Sequence, residues 1–412
     1  MFNVGGKLFL MDALLQNQTA ETQAFVKRVL IYFVVMLFGI VANTYVTHSI
    51  TVVWIVNLLG LAVLFFPYLR YTESYVLKVS LIYIGFCMVT LALNTDYLTA
   101  STKAIGTNIN ILIVPIFLNI LYYVKRRNLI TTETITKILK WVSVLGTIAL
   151  IFTLLTSYGA IMSVFGGESA YHVDVSGFFY SKNIYGAFIS LTIGADLYLL
   201  NKTNRAKRLF IILLKILAVV VSFSRAALLQ MTIMLFLFIW LKKNRRLRDY
   251  FLTLVLLCVL AVTAYFILTN QNITDFITDG VLRLDSGDAG RQFLREQAMQ
   301  KMNGISNILF GVGFAGIEQL DIDVDNTYLY LLFSGGIIKI AFYIYFIVIA
   351  FKNIVPLKKT DEQLYRICMA VAISYLVFAF FESVAVLELG LLNFLFAMFM
   401  FLFPFARKED AK

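Results

Sequence analysis

Residues 202–248 read KTNRAKRLFIILLKILAVVVSFSRAALLQMTIMLFLFIWLKKNRRLR, an apolar stretch between two strongly basic segments. Basic segments of membrane proteins stay in the cytoplasm, so the apolar stretch 209–241 is predicted to cross the membrane and return. As a helix it is about 50 Å long, whereas two full crossings need about 60 Å. The turn Ser222-Phe-Ser-Arg225 is therefore expected below the outer surface, where a charged side chain needs a partner or a polar cavity. Arg225 is the first candidate functional residue.

The rest of the chain has the same apolar character. Of its 412 residues, 60% are hydrophobic and only 14% are charged, whereas soluble domains contain about 25% charged residues. The hydrophobic residues form runs long enough to cross the roughly 30 Å core of a bilayer as helices. Alternating strands of about ten residues, which would indicate a β-barrel, do not occur. The predicted fold class is an all-α polytopic membrane helical bundle.

The apolar runs divide the chain into about twelve predicted transmembrane helices with both termini in the cytoplasm. This division places most of the 35 Lys and Arg residues on the cytoplasmic side, as the positive-inside rule requires. The predicted spans are 28–47, 51–69, 76–94, 104–124, 138–158, 183–200, 209–222, 226–241, 250–268, 326–351, 365–382 and 385–405. The predicted organisation is a cytoplasmic segment 1–27, helices one to nine in 28–268, a long extracytoplasmic loop 269–325, helices ten to twelve in 326–405 and a cytoplasmic tail 406–412.

Composition also argues against several classes of function. The net charge of +11 comes from the segments between apolar runs, and the chain has no separate basic domain for nucleic acid. The three cysteines, Cys87, Cys258 and Cys368, lie inside apolar runs without a pairing pattern. With His48 and His172 as its two histidines, the chain is not expected to form a histidine metal site. We predict no metal, no cofactor, no nucleic-acid partner and no cleaved signal peptide.

The predicted outer face carries four arginines in segments that are otherwise poor in positive charge: Arg225, Arg283, Arg291 and Arg295. A guanidinium group pairs its donors with phosphate oxygens and stays charged at physiological pH. Arg291 and Arg295 share one face of a predicted amphipathic helix 291–302, because they are four residues apart. The group suits a lipid-linked diphosphate. Alternatively, it neutralises nearby acidic residues or contacts lipid headgroups.

The segment Asp321-Ile-Asp-Val-Asp325-Asn326 directly precedes the tenth predicted helix. It lacks the Gly and Glu that a calcium loop requires, and an Asp-x-Asp metal motif for a nucleotide sugar does not suit an outer segment. Asp325 or Asn326 is expected to cap the helix, and Asp325 is also a candidate catalytic base. Tyr328 and Tyr330 are candidates for stacking on sugars, with Asn326 as a further sugar-binding candidate.

Other conspicuous residues are predicted to have structural roles. Lys215 and Lys339 lie inside predicted spans, where a lysine either snorkels to the surface or pairs with a buried carboxylate. Gly311, Gly313 and Gly316 follow one another closely, but without a preceding strand they do not indicate a nucleotide-binding loop. We expect these glycines to allow tight turns where the outer loop meets the bundle.

Five segments between residues 177 and 339 carry a resemblance to a known family. They are Gly177-Phe-Phe-Tyr-Ser-Lys-Asn183, Phe223-Ser-Arg-Ala-Ala-Leu228, Gly290-Arg291, Leu309-Phe-Gly-Val-Gly-Phe314 and Asp325-Asn-Thr-Tyr-Leu-Tyr-Leu-Leu-Phe-Ser-Gly-Gly336. In this order and with their predicted outer placement, they resemble the O-antigen polymerase and ligase superfamily. Outside this window only the number of helices agrees.

The resemblance implies a GT-C-like membrane glycosyltransferase that needs no metal and takes its sugar from an undecaprenyl-diphosphate-linked donor. It implies that Arg225 and Arg291 hold the diphosphate. The ligases carry a histidine where this chain has Asp325, and this difference, with the twelve predicted spans, favours the polymerase branch.

The expected protein is therefore a bacterial polymerase of O-antigen, capsule or exopolysaccharide in the inner (cytoplasmic) membrane. It would transfer a growing glycan from undecaprenyl diphosphate to a lipid-linked repeat unit at the outer leaflet. The alternatives are a ligase-type transferase that uses another acceptor and a flippase that moves lipid-linked oligosaccharides. The expected partners are the undecaprenyl-diphosphate-linked oligosaccharide and the lipid bilayer, together with a chain-length regulator and a flippase.

Overall fold

The computed structural model describes residues 4–47, 50–69, 73–94, 110–165, 175–222, 224–243, 304–313, 326–384 and 390–406, together with residues 300, 302 and 317. These residues form helices and no β-strand, which confirms the predicted all-α class for the described part of the chain. In chain order the helices are α1 (Val4–Ala42), α2 (Ile50–Leu69), α3 (Ser74–Leu93), α4 (Asn110–Arg127), α5 (Thr132–Thr156), α6 (Tyr158–Phe165), α7 (Lys182–Leu199), α8 (Arg205–Val221), α9 (Arg225–Trp240), α10 (Ile305–Phe310), α11 (Thr327–Ile354), α12 (Leu357–Thr360), α13 (Glu362–Phe378) and α14 (Leu391–Ala397). A helix lies at every predicted span except 250–268, which is outside the described residues.

Four helical stretches among the described residues are long and apolar enough to cross a membrane: Thr19–Tyr45, Ser74–Leu93, Thr132–Thr156 and Thr327–Thr360. Large hydrophobic side chains remain exposed on the outside of the bundle, for example Leu155 with 78% of its surface accessible. A soluble protein rarely leaves a broad apolar surface uncovered. These helices therefore indicate a membrane protein.

A buried ionic network joins α5, α7 and α8. Asp196 accepts hydrogen bonds from Lys215 Nζ at 2.7 Å and from Arg208 Nη1 at 2.6 Å. It also accepts one from Ser143 Oγ at 2.6 Å, and the Ser143 carbonyl accepts a second bond from Lys215 at 2.9 Å. Asp196 and Lys215 have no exposed surface. The predicted pairing of Lys215 with a buried carboxylate is thus confirmed, and Asp196 is its partner.

Helix α11 is interrupted at Gly336, whose backbone angles (φ 66°, ψ −166°) are not helical. The short helix α10 and the residues after it pack against this break. Val312 N–H donates to the carbonyl of Phe333 at 2.8 Å, and a Cβ at Gly336 would collide with the backbone of Leu309. Glycine is needed here because no other residue readily adopts this conformation. The break thus anchors residues 309–312, which belong to the last part of the predicted outer loop 269–325.

Glycines in the segment packed against this break form turns, as expected. Gly311 and Gly313 have positive φ angles of 73° and 76°, whereas Gly316 lies outside the described residues. Beyond the break, Lys339 donates to Ser334 Oγ at 2.8 Å, and its ammonium group lies 5.6 Å from the ring centre of Tyr330. Lys339 therefore has a structural role, as predicted.

Replacing Gly336 by Ala is expected to destabilise the protein by about 2 kcal/mol or more, since alanine must adopt a strained conformation against Leu309. The control is Gly85→Ala in α3, where nothing lies within 4 Å of the added methyl group. The control should be neutral or slightly stabilising, because alanine favours helix more than glycine does. Thermal unfolding in one detergent measures both effects, and equal midpoints would contradict this account of the break.

Replacing Lys215 by Met should cost about 3–5 kcal/mol, because Asp196 then loses a partner while it remains buried. Lys207→Met is the matched control, since Lys207 lies on the same helix with its side chain exposed. Its effect should stay within about 0.5 kcal/mol. Denaturant or thermal unfolding in detergent compares the two variants. A Lys215 variant as stable as the control would show that the pair contributes little.

Candidate functional site

Polar side chains converge where α7, α9 and α11 begin and α13 ends. Gly186 of α7 packs closely against the start of α9 and the turn before it: a Cβ at Gly186 would lie 2.6 Å from the Cβ of Ala227 and 3.0 Å from Ser222 Oγ. Asn183 of α7 donates to the carboxylate of Glu382, just after α13. Thr327, the first residue of α11, donates to the Glu382 carbonyl at 2.6 Å. The predicted site residues described at this end are Arg225, Asn326 and Tyr328.

Arg225 is the first residue of α9 and follows a turn that the protein covers. Ser222 and Ser224 in this turn are 0% and 1% exposed, and Ser224 Oγ caps α9 by accepting from Ala227 N–H at 3.2 Å. Helices α8 and α9 have 17 and 16 residues, about 25 Å each, so both are short, as expected. Arg225 itself is half-buried. Its charge adds to the positive end of the helix dipole, a combination that favours an anionic ligand.

Glu382 and Asn183 form a polar pair beside this turn. Asn183 Nδ2 donates to Glu382 Oε1, and Ser181 caps α7 by accepting from Asn183 N–H at 3.2 Å. Both members of the pair are half-buried. A carboxylate that one amide holds and solvent still reaches is able to accept a proton from a bound hydroxyl group.

Asn326 caps α11. Its Oδ1 accepts hydrogen bonds from the N–H groups of Tyr328 at 2.9 Å and Leu329 at 3.1 Å. Its Nδ2 donates to the carbonyl of Phe380 at 2.9 Å. The prediction that Asp325 or Asn326 caps this helix is therefore confirmed for Asn326. Its sugar-binding role stays a prediction.

Thr327 fastens the start of α11 to the segment after α13. Its N–H donates to the carbonyl of Ala379 at 2.8 Å, and its Oγ1 accepts from Val384 N–H at 2.8 Å. The Oγ1 also donates to the Glu382 carbonyl, as described above. The N–H and hydroxyl groups of Thr327 therefore both form hydrogen bonds to the segment after α13. The backbone of Glu382 is thereby fixed relative to Asn326 and the start of α11.

Two tyrosines at this end differ in how accessible they are. Tyr328 is half-buried: its hydroxyl donates to the Leu376 carbonyl at 3.0 Å, and its ring centre lies 4.6 Å from that of Phe380. Tyr180 is 54% exposed. The surrounding protein desolvates Tyr180 and Glu382 adds negative charge, so the pKa of Tyr180 is raised to about 12. The exposed ring of Tyr180 thus lies within electrostatic range of the Glu382 carboxylate.

The remaining predicted site residues, Asp325, Arg283, Arg291 and Arg295, lie outside the described residues. Their roles stay predictions. Within the described ranges, no group of three His, Cys, Asp or Glu side chains is placed to hold a metal ion.

Sequence reasoning had assigned no role to Glu382 or Tyr180. One signal for Glu382 was available: it is an acidic residue between two long apolar runs, at the predicted outer end of the eleventh span. Asn183 and Tyr180 lie within the segment Gly177–Asn183, but only folding brings that segment to Glu382, which is 199 residues from Asn183 in the chain.

Comparisons with known proteins give no match to this chain, whether to a family model, to a curated protein or to a solved structure.

Replacing Asn326 by Ala should cost about 1–2 kcal/mol, because α11 loses its cap and the Phe380 carbonyl loses a donor. Asn326→Asp keeps the capping oxygen and should cost less. Thermal unfolding of both variants in one detergent measures the difference. If the aspartate variant is as unstable as the alanine variant, the contact with Phe380 outweighs the cap.

Proposed function

We propose that this protein is a metal-independent membrane glycosyltransferase that polymerises a bacterial polysaccharide. In this proposal about twelve transmembrane helices form a GT-C-like bundle in the cytoplasmic membrane, with both termini in the cytoplasm. The observation that supports it is the convergence of a cationic side chain and an accessible carboxylate, Arg225 and Glu382, at one end of an apolar bundle. This end is the outer one in the topology that the basic segments predict.

The donor is a growing glycan on undecaprenyl diphosphate, whose lipid lies along the bundle. Arg225 offsets the charge of the diphosphate, together with Arg291, Arg283 and Arg295 of the outer loop. As the bond between the sugar and the diphosphate breaks, the leaving group gains negative charge. The contact with arginine then strengthens, and an interaction that is stronger in the transition state accelerates the reaction.

The acceptor is a hydroxyl group of a second lipid-linked repeat unit. Its oxygen forms a bond to the anomeric carbon of the growing glycan, and the bond from that carbon to the diphosphate oxygen breaks. The hydroxyl proton passes to a carboxylate, and undecaprenyl diphosphate leaves with the electron pair. No metal or cofactor is needed for this exchange.

Two carboxylates are candidates for the proton acceptor. Asp325 precedes the cap of α11 and stands where the ligase branch carries a histidine. Glu382 has an accessible carboxylate that Asn183 holds in place, and its backbone is fixed by Thr327. We assign the role to Glu382 first, because a base must be oriented as well as accessible.

Sugar rings need aromatic or amide partners, and this end of the bundle offers both. Tyr180 lies near Glu382 with 54% of its surface exposed, so its ring is accessible for stacking on a sugar. Tyr328 and Asn326 lie at the start of α11 on the same end. A chain-length regulator and a flippase are the proposed protein partners, since the product is a polymer and the substrate is made in the cytoplasm.

The test uses purified protein in nanodiscs with an undecaprenyl-diphosphate-linked repeat unit, and a ladder of products is expected. Arg225→Ala should lower the rate about 100-fold or more, and Glu382→Gln about 100-fold or more. Arg126→Ala is the matched control, because that arginine is exposed on the predicted cytoplasmic side, and it should keep the full rate. Thermal midpoints confirm that each variant is folded.

The products also separate the alternatives. Transfer of one glycan to a different acceptor, without a ladder, would indicate a ligase. Movement of the lipid-linked oligosaccharide across the membrane without a new bond would indicate a flippase. Normal ladders from both the Arg225 and the Glu382 variants would refute the site assignment.

A further inference from the structure

A groove of about 750 Å³ runs between α1 and α5, on the side of the bundle. Residues 19–34 of α1 and 131–141 of α5 line it, and both helices belong to the stretches long enough to cross a membrane. The opposite ends of these helices meet the segment that leads to Asn183. In the helical turn Asn43–Thr47 that follows α1, Tyr45 donates to the Gly177 carbonyl at 3.2 Å, and the ring centre of Phe152 of α5 lies 5.5 Å from that of Phe178. The groove is therefore at the other end of the bundle from the proposed catalytic site.

The groove changes from polar to apolar along its length. Its polar part contains Lys27 from α1 and the ion pair Lys137–Glu133 from α5, whose charged atoms are 2.6 Å apart. Lys137 and Glu133 keep 50% and 62% of their side-chain surface exposed. Both side chains are therefore accessible to a ligand as well as to each other. With two lysines and one glutamate, this part of the groove has a net positive charge.

The apolar part of the groove follows one turn further along each helix. On α1, Lys27 is followed by Ile31 and Val34 at the spacing that places residues on one helix face. On α5, Lys137 is followed by Trp141 at the same spacing. Val34 and Trp141 are 61% and 51% exposed. Both walls thus present a positive charge first and an apolar surface next to it.

We propose that this groove binds an anionic phospholipid. The phosphate lies between Lys27 and Lys137, and an acyl chain follows Ile31, Val34 and Trp141 along the bundle. Lysines near the end of a transmembrane helix reach the headgroup region, and tryptophan favours the same interface. A zwitterionic phospholipid would leave the positive charge of the groove uncompensated, so the charge selects the anionic class.

The chain contains three tryptophans, at positions 54, 141 and 240, which permits a direct test. The double variant Trp54→Phe, Trp240→Phe leaves Trp141 as the only tryptophan, which is excited selectively over tyrosine at its red edge, and it lies in the groove. This protein is reconstituted in phosphatidylcholine vesicles that contain increasing fractions of brominated phosphatidylglycerol or of brominated phosphatidylcholine. Bromine on the acyl chain quenches tryptophan fluorescence on contact.

Brominated phosphatidylglycerol is expected to quench Trp141 at a lower mole fraction than brominated phosphatidylcholine, with a relative association constant of about five or more. Replacing Lys27 and Lys137 by Gln in this protein should make the two lipids equivalent. Lys207→Gln, which changes an exposed lysine outside the groove, should keep the preference.

Two outcomes would overturn the proposal. One is equal quenching by the two lipids when both lysines are present, a comparison that does not depend on the folding of the lysine variants. The other is a preference that survives in the double lysine variant.

Discussion

A carboxylate inside an apolar bundle must be paired, and Asp196 meets this requirement through side chains from two other helices. Ser143, Arg208 and Lys215 all bond to its oxygens. Because a buried charge that loses its partners is costly, this network fixes how α5, α7 and α8 lie against each other. Asn183 is thirteen residues before Asp196 on α7, or about 20 Å along the helix. By fixing α7, the network therefore also fixes the position of Asn183, which bonds to Glu382.

Features that depend on local composition could be predicted from the sequence. The all-α class, the positions of helices at the apolar runs, the cap of α11 and the turns at Gly311 and Gly313 are of this kind. The need of Lys215 for a carboxylate was also predictable, since its position in an apolar run demands a partner. The identity of that carboxylate could not be predicted, because it is the packing of α7 on α8 that brings Asp196 to Lys215.

The candidate site was predicted only in part for the same reason. Arg225 is conspicuous from the length of its hairpin, and Asn326 from its place before a helix. Glu382 acquires significance only when Asn183 and Thr327 reach it from other helices. The interruption of α11 at Gly336 likewise depends on α10 packing against it. Long-range contacts of this type leave no periodic pattern in the sequence.

The Asp196 network has a further consequence for how the chain is synthesised into a membrane. Ser143, Asp196, Arg208 and Lys215 occur in this order, and only 72 residues separate the first from the last. Asp196 and Lys215 lie 19 residues apart on adjacent helices, so the hairpin they form can leave the translocation machinery with its charges already neutralised. These hydrogen bonds need no residue after Lys215. The chain up to α8 can thus pair its buried charges while the ribosome is still adding the rest.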